Sequence, residues 1–225
     1  MRELPSRKKP WIKICGMKTE DDIVSCIESG ATHVGLNLYA PSPRSVTLER
    51  AQQLRRIALG RISTVVLMVE PTIDELKRVE DALEPDWFQV HGDRALDVSL
   101  KLKTPIFRAL GLRDAQDLRS ARDLADPFLL IDAKDDTVHG GTGRLAPTDL
   151  ARELCRERAC LLAGGLDPLN VTQQVERVKP LGVDVASGVE ETRGEKAHGL
   201  ISSFCSASIS ALQALKETSS VESSK

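Results

Sequence analysis

Short apolar, β-branched runs recur along this chain about every 20 to 30 residues, and each gives way to a polar or Gly-rich loop and then a charged stretch with helical apolar spacing. The runs are Trp11 to Cys15, His33 to Tyr39, Ser63 to Val69, Trp87 to His91, Pro105 to Leu110, Pro127 to Ala133, Cys160 to Ala163 and Gly182 to Ala186. Between them, Thr19 to Ser29, Thr47 to Leu59, Thr72 to Leu83 and Pro168 to Lys179 have the pattern of amphipathic helices. Thr19 with Asp22 three residues on, and Thr72 with Glu75, place a hydroxyl where it can accept from first-turn N–H groups. Eight parallel strands with their crossovers predict an α/β fold, a single closed (β/α)8 TIM barrel. A doubly wound open sheet more often has about five or six strands and a Gly-rich turn after the first.

A chain of 225 residues suffices for one such barrel, and no shift in composition marks a second domain. The expected division is a loose lead-in over 1–10, the barrel over 11–216, and a polar tail over 217–225 without fixed structure. Lysine and arginine total 31 against 33 acidic residues, so no basic field points to nucleic acid or to an anionic membrane. No apolar run approaches the roughly 20 residues of a membrane span. A small molecule is therefore the expected partner. Cys15, Cys26, Cys155, Cys160 and Cys205 form an odd set with no CxxC pair and no apolar leader before them, which argues for a reduced, cytoplasmic protein. Length leaves both a monomer and a homodimer open.

In a barrel, chemistry belongs at the strand C-termini. Strand one ends in Lys13, Ile14, Cys15 and Gly16; strand two runs into Ser42, Pro43 and Arg44; strand four ends in Gln89, Val90, His91 and Gly92. Strand six ends in Asp132, with Gly140 to Gly143 following. Strand seven ends in Gly164 and Gly165, and strand eight leads to Ser187 and Gly188. Small residues in the last two loops let backbone N–H groups approach a phosphate, although they also permit tight turns. A lone cysteine is commonly an inert buried group, but as a thiolate near positive charge Cys15 could take a proton from carbon. Lys13 shares its strand face. Asp132 closes the apolar run Phe128 to Ile131, where partial desolvation favours the protonated form of a general acid; a loop cap is the alternative. Arg44 could clamp a carboxylate or lie solvated, and Gln89 and His91 could line the cavity. The histidines show no metal-ligand spacing, so no metal site is expected.

Taken in order, these strand-end words resemble the phosphoribosylanthranilate isomerase family of tryptophan biosynthesis. The match runs through Lys13 to Gly16, Ser42 to Arg44, Gln89 to Gly92, Asp132 with Gly140 to Gly143, Gly164 to Val171, and Val183 to Glu190. The resemblance implies an Amadori rearrangement of N-(5-phosphoribosyl)anthranilate to 1-(2-carboxyphenylamino)-1-deoxyribulose 5-phosphate without metal or organic cofactor. By the same resemblance Cys15 is the general base and Asp132 the general acid. Arg44 lies near the anthranilate carboxylate, and Gly164, Gly165, Ser187 and Gly188 bind the phosphate.

The chain departs from the family pattern in three places. Arg144 to Thr148 stand where a Phe-Asp-Trp-like segment is usual. Strand two carries Gly35-Leu-Asn-Leu38 in place of a Gly-Phe-x-Phe pattern, and Gly194-Glu-Lys-Ala197 replaces a Gly-x-Lys-Asp. The acid, base and phosphate positions survive, so the aromatic half of the substrate pocket is where change is expected. The competing readings are a barrel acting on another amino-sugar phosphate, as the histidine-pathway isomerase does with an Asp pair, and a barrel that binds without catalysis.

Overall fold

The computed structural model of the protein describes residues 3–92, 102–132 and 148–222, with side chains of the last helix followed to residue 217. Eight parallel strands close into a barrel in chain order: β1 (Trp11–Cys15), β2 (His33–Asn37), β3 (Ser63–Val69), β4 (Trp87–His91), β5 (Ile106–Gly111), β6 (Leu129–Asp132), β7 (Cys160–Leu162) and β8 (Gly182–Val185). Closure is made by β1 against β8, with Lys13 beside Asp184. The expected (β/α)8 barrel is the fold observed. Seven α-helices are present among the described residues: α1 (Glu20–Glu28), α2 (Leu48–Ala58), α3 (Ile73–Leu83), α4 (Ala115–Arg122), α5 (Thr148–Glu157), α6 (Val171–Val178) and α7 (His198–Glu222). A two-stranded hairpin, β9 (Glu190–Thr192) with β10 (Glu195–Lys196), follows β8.

Local chemistry sets the element ends. Thr19 accepts from the Asp22 N–H while the Asp22 carboxylate accepts from the Thr19 N–H, and Thr72 and Glu75 repeat this reciprocal cap. Such caps are worth about 1 kcal/mol each. β2 stops two residues before Tyr39 because Asn37 Oδ1 accepts from the Tyr39 N–H, turning the chain. α6 starts at Val171 because Asp167 Oδ1 first takes the N–H groups of Leu169 and Asn170. Ahead of β1, Arg7 donates to the carbonyls of Lys179 and Pro180 at 2.6 and 2.7 Å. α7 continues to Glu222, through part of the stretch whose polarity led us to expect a tail; no Gly or Pro interrupts it there.

Alternation along the strands divides the core in two. Ile12, Ile14, Val34, Val66, Phe88 and Ile131 face the helices. Trp11, Trp87, Phe107 and Phe128 face inward and fill the N-terminal end of the barrel, with ring centroids 4.6–6.2 Å apart. Phe204 and Phe88 belong to the helix-facing core. Of the chain's two Trp, four Phe and one Tyr, only Tyr39 follows the C-terminal end of a strand. No helix among the described residues is long and apolar enough to cross a membrane.

Candidate active site

Cys15 is the last residue of β1, buried, and in register with Gly35 of β2. A side chain at position 35 would begin 2.7 Å from the Cys15 sulfur, so only glycine leaves the thiol its space. Two residues earlier on the same strand face, Lys13 is wholly buried and its Nζ donates to Asp184 Oδ1 at 2.8 Å. Burial pushes the Cys15 thiol above its ordinary pKa. Lys13 pulls it down, Asp184 pushes it up, and Lys196 pulls it down again.

Arg44 reaches the same end of the barrel from the turn after β2. Its fork is already engaged: Nε donates to Glu190 Oε1 at 2.6 Å and Nη2 to Glu190 Oε2 at 2.8 Å. Glu190 also accepts from Lys196 Nζ at 3.0 Å and from the Gly194 N–H at 3.1 Å. Burial by itself would raise the Glu190 carboxyl, but Arg44, Lys196 and the Gly194 amide together hold it below the usual carboxylate range. Burial lowers the Lys196 ammonium, opposed by Glu190 and Cys15. The site thus contains a buried ion cluster that extends from the β2 turn to the β9–β10 hairpin.

Asp132 ends β6 and lines a small cavity of about 30 Å³ together with Gly164, Gly165, Asp184, Ala186 and Ser187. The structure therefore brings Asp132 against the loops after β7 and β8. Gly164 and Gly165 have φ of 87° and 66°, so turn geometry alone would select glycine there. Gly188 differs: a Cβ would lie 1.9 Å from the Leu166 carbonyl oxygen. The two loops interlock at that point, with no room for a side chain between them.

Gln89 and His91 both point into the barrel from β4. The Gln89 amide nitrogen is 2.9 Å from His91 Nε2, and Gln89 Oε1 is buried with no hydrogen-bond partner among the described residues. Among those residues, no group of three or more His, Cys, Asp or Glu is placed to hold a metal ion. Cys26 and Cys205 are buried and their thiols pushed up by burial, Cys205 to about 12. Gly140 to Gly143 and residues 144–147 lie outside the described residues. Sequence reasoning passed over Asp184, Glu190 and Lys196. Strand parity would have found Asp184, since it is two residues beyond the inward-facing Gly182; Glu190 and Lys196 sit in a hairpin with no periodicity to read.

The sequence model of the family described as N-(5'phosphoribosyl)anthranilate (PRA) isomerase matches residues 12–207. A relative from Chelativorans sp. (strain BNC1) named N-(5'-phosphoribosyl)anthranilate isomerase is 38% identical over 206 residues, covering 87% of this chain and 94% of its own. One from Haloferax volcanii with the same name is 35% identical, covering 92% and 96%. The crystal structure of phosphoribosyl anthranilate isomerase from Thermotoga maritima superposes with a TM-score of 0.82 at 28% identity, covering 89% of this chain and 99% of that one. A further structure of such an isomerase, in complex with reduced 1-(o-carboxyphenylamino)-1-deoxyribulose 5-phosphate, gives 0.78 at 27% identity, with 89% and 99% covered.

Proposed function

The chain belongs to the N-(5'-phosphoribosyl)anthranilate isomerase family and is an isomerase of tryptophan biosynthesis, and from that premise we propose that Cys15 and Asp132 carry the proton transfers of its Amadori rearrangement. The loops holding Gly164, Gly165, Ser187 and Gly188 take the phosphate and so fix the ribose over the strand ends. Asp132 protonates the furanose ring oxygen, which breaks the C1'–O bond and leaves a protonated imine at C1'. That positive charge acidifies the C2' hydrogen and stands beside Cys15, where it favours the thiolate. The Cys15 thiolate takes the C2' proton, giving an enolamine that tautomerises to the ketone. Arg44 meets the anthranilate carboxylate through Nη1, since Nε and Nη2 are given to Glu190. Gln89 and His91 line the pocket below. The substrate's aromatic ring has Tyr39 as its one aromatic neighbour by position at this end of the barrel. The cytoplasm as its location is part of the same proposal.

The observation that carries this reading is that Asp132 lines one cavity with both phosphate loops while Cys15 stands beside two buried lysines at the same strand ends. The test is turnover of freshly made phosphoribosylanthranilate, followed by loss of its fluorescence, in wild type, Cys15→Ser and Asp132→Asn. Wild type turns over, and each variant loses roughly two to four orders of magnitude in rate. A wild type that binds phosphate esters but leaves this substrate unchanged would instead support a barrel acting on another amino-sugar phosphate.

A further inference from the structure

Lys13 shares a strand with Cys15, and its charge is matched by Asp184 at 2.8 Å. Lys196 has a different position. It comes from the hairpin beyond the barrel, its side chain is 0% exposed, and it is fixed by two bonds, to the Ala186 carbonyl at 2.8 Å and to Glu190 Oε1 at 3.0 Å. Its partner carboxylate is shared, because Glu190 already makes a two-point pair with Arg44. Two cations on one carboxylate leave the cluster with one net positive charge in a site from which water is largely excluded. A buried charge without a counter-ion is costly, and a chain that needed only packing here could place an aliphatic residue. The charged groups that act on Cys15 are Lys13 from β1, Asp184 from β8 and Lys196 from β10; Gly35 on β2 contributes none. Lys13 acts on Cys15 more strongly than Asp184 does, and Lys196 adds a second positive charge from outside the barrel. Ala186, which accepts from Lys196, follows Val185, the β8 partner of Ile14, so this ammonium is held at the strand end next to Cys15.

We propose that Lys196 is a positioning residue for the proton transfer: clamped by Glu190 and the Ala186 carbonyl, its buried ammonium supplies the positive charge that stabilises Cys15 as a thiolate. This rests on the reading of Cys15 as the base. Glu190 then serves both halves of the substrate, because one carboxylate aims Arg44 at the anthranilate carboxylate and holds Lys196 beside the reacting carbon.

The test reads Cys15 ionisation apart from catalysis, by the pH dependence of iodoacetamide alkylation measured on the Cys15 peptide by mass spectrometry. Lys196→Gln, which keeps a neutral N–H donor, moves the midpoint up by about one pH unit, and the acid limb of kcat/KM moves with it. Lys196→Arg returns both toward wild type, which a loss of packing alone would not predict. Lys196→Met is the second neutral variant should the first not fold. An alkylation midpoint unchanged in a folded neutral variant overturns the proposal. The reading of Cys15 as base fails separately, if Cys15→Ser keeps its activity.

Discussion

Lys13 Nζ lies 2.8 Å from Asp184 Oδ1 across the seam where β1 meets β8, and both side chains are directed into the barrel. The register that closes the barrel is therefore the register that makes this pair. Lys13 keeps its proton there: burial works against it, and Asp184 and Cys15 more than compensate. Lys13→Met leaves a carboxylate in the barrel interior without its partner and is expected to cost about 3–5 kcal/mol. Urea unfolding at neutral pH checks this through the midpoint. Lys13→Met with Asp184→Leu should recover much of the loss, since replacing a buried pair by apolar groups is often neutral or better.

Arg44 spends its Nε and Nη2 on Glu190, which fixes the guanidinium plane before any ligand arrives. Lysine has no such fork. Arg44→Lys should raise KM about tenfold or more with a smaller change in kcat, because a carboxylate remote from the reacting carbon is bound alike in ground and transition states. Steady-state kinetics give the split directly. An equal fall in kcat and kcat/KM would place Arg44 in the chemical step instead.

The interlocked loops make a sharper test of the proposed phosphate site than the paired glycines do. Gly188→Ala would drive a methyl to 1.9 Å from the Leu166 carbonyl and must separate the two loops. Gly199 has nothing within 4 Å of the corresponding position and lies in the first turn of α7, where alanine is the better helix former. Gly188→Ala is expected to weaken binding of inorganic phosphate by at least tenfold, and Gly199→Ala to leave it unchanged, as read by calorimetric titration; a tenfold loss corresponds to about 1.4 kcal/mol.

His33 stacks on Trp11 with ring centroids 3.5 Å apart, and its Nδ1 lies 2.8 Å from Thr32 Oγ1. Burial, with the nearby Lys13 charge added, lowers its pKa from 6.5 to about 3. The ring stays neutral in the folded protein while the unfolded chain takes up a proton near 6.5, so the unfolded state binds more protons between those values. Stability falls as pH falls through that window, by up to ~1.4 kcal/mol per pH unit from this group. Chemical unfolding at pH 7 and pH 5 should show a shallower acid loss in His33→Gln than in wild type. Equal slopes would mean that the ring already protonates in the fold.

Periodicity located the strands because parallel strands covered on both faces are continuous apolar runs. β1, β3 and β4 begin and end where the runs do. It failed by two or three residues where a side chain intervened, as at Asn37, whose amide oxygen ends β2, and at Asp167, whose carboxylate delays α6. The placement of Cys15 and Asp132 at strand ends was legible from the apolar runs that they close. The pairing of Arg44 with Glu190 was not, because it joins residues 146 apart, and the motif words that include Glu190 and Lys196 carry no information about which distant side chain each one meets. The same holds for Lys196, which alternation cannot assign to an inward face because β10 is only two residues long.

Ala197 stands at the N-cap of α7, where the family pattern has Asp. Its carbonyl accepts from the N–H groups of Leu200 and Ile201, so the helix begins there, but its methyl can accept nothing from the first turn. Ala197→Asp would provide that acceptor and put a negative charge at the positive end of the helix, together worth about 1 kcal/mol. For a chain of this size that is a rise in Tm of about 2–4 °C. Asp22 works against the charge, since its carboxylate lies 3.4 Å from His198 Nε2 in the same first turn. Ala197→Ser separates the two effects by capping without charge. If capping limits this helix, both variants melt above wild type by differential scanning calorimetry. Serine alone doing so would show that repulsion from Asp22 offsets the cap, and neither doing so would show that the α7 end is already satisfied.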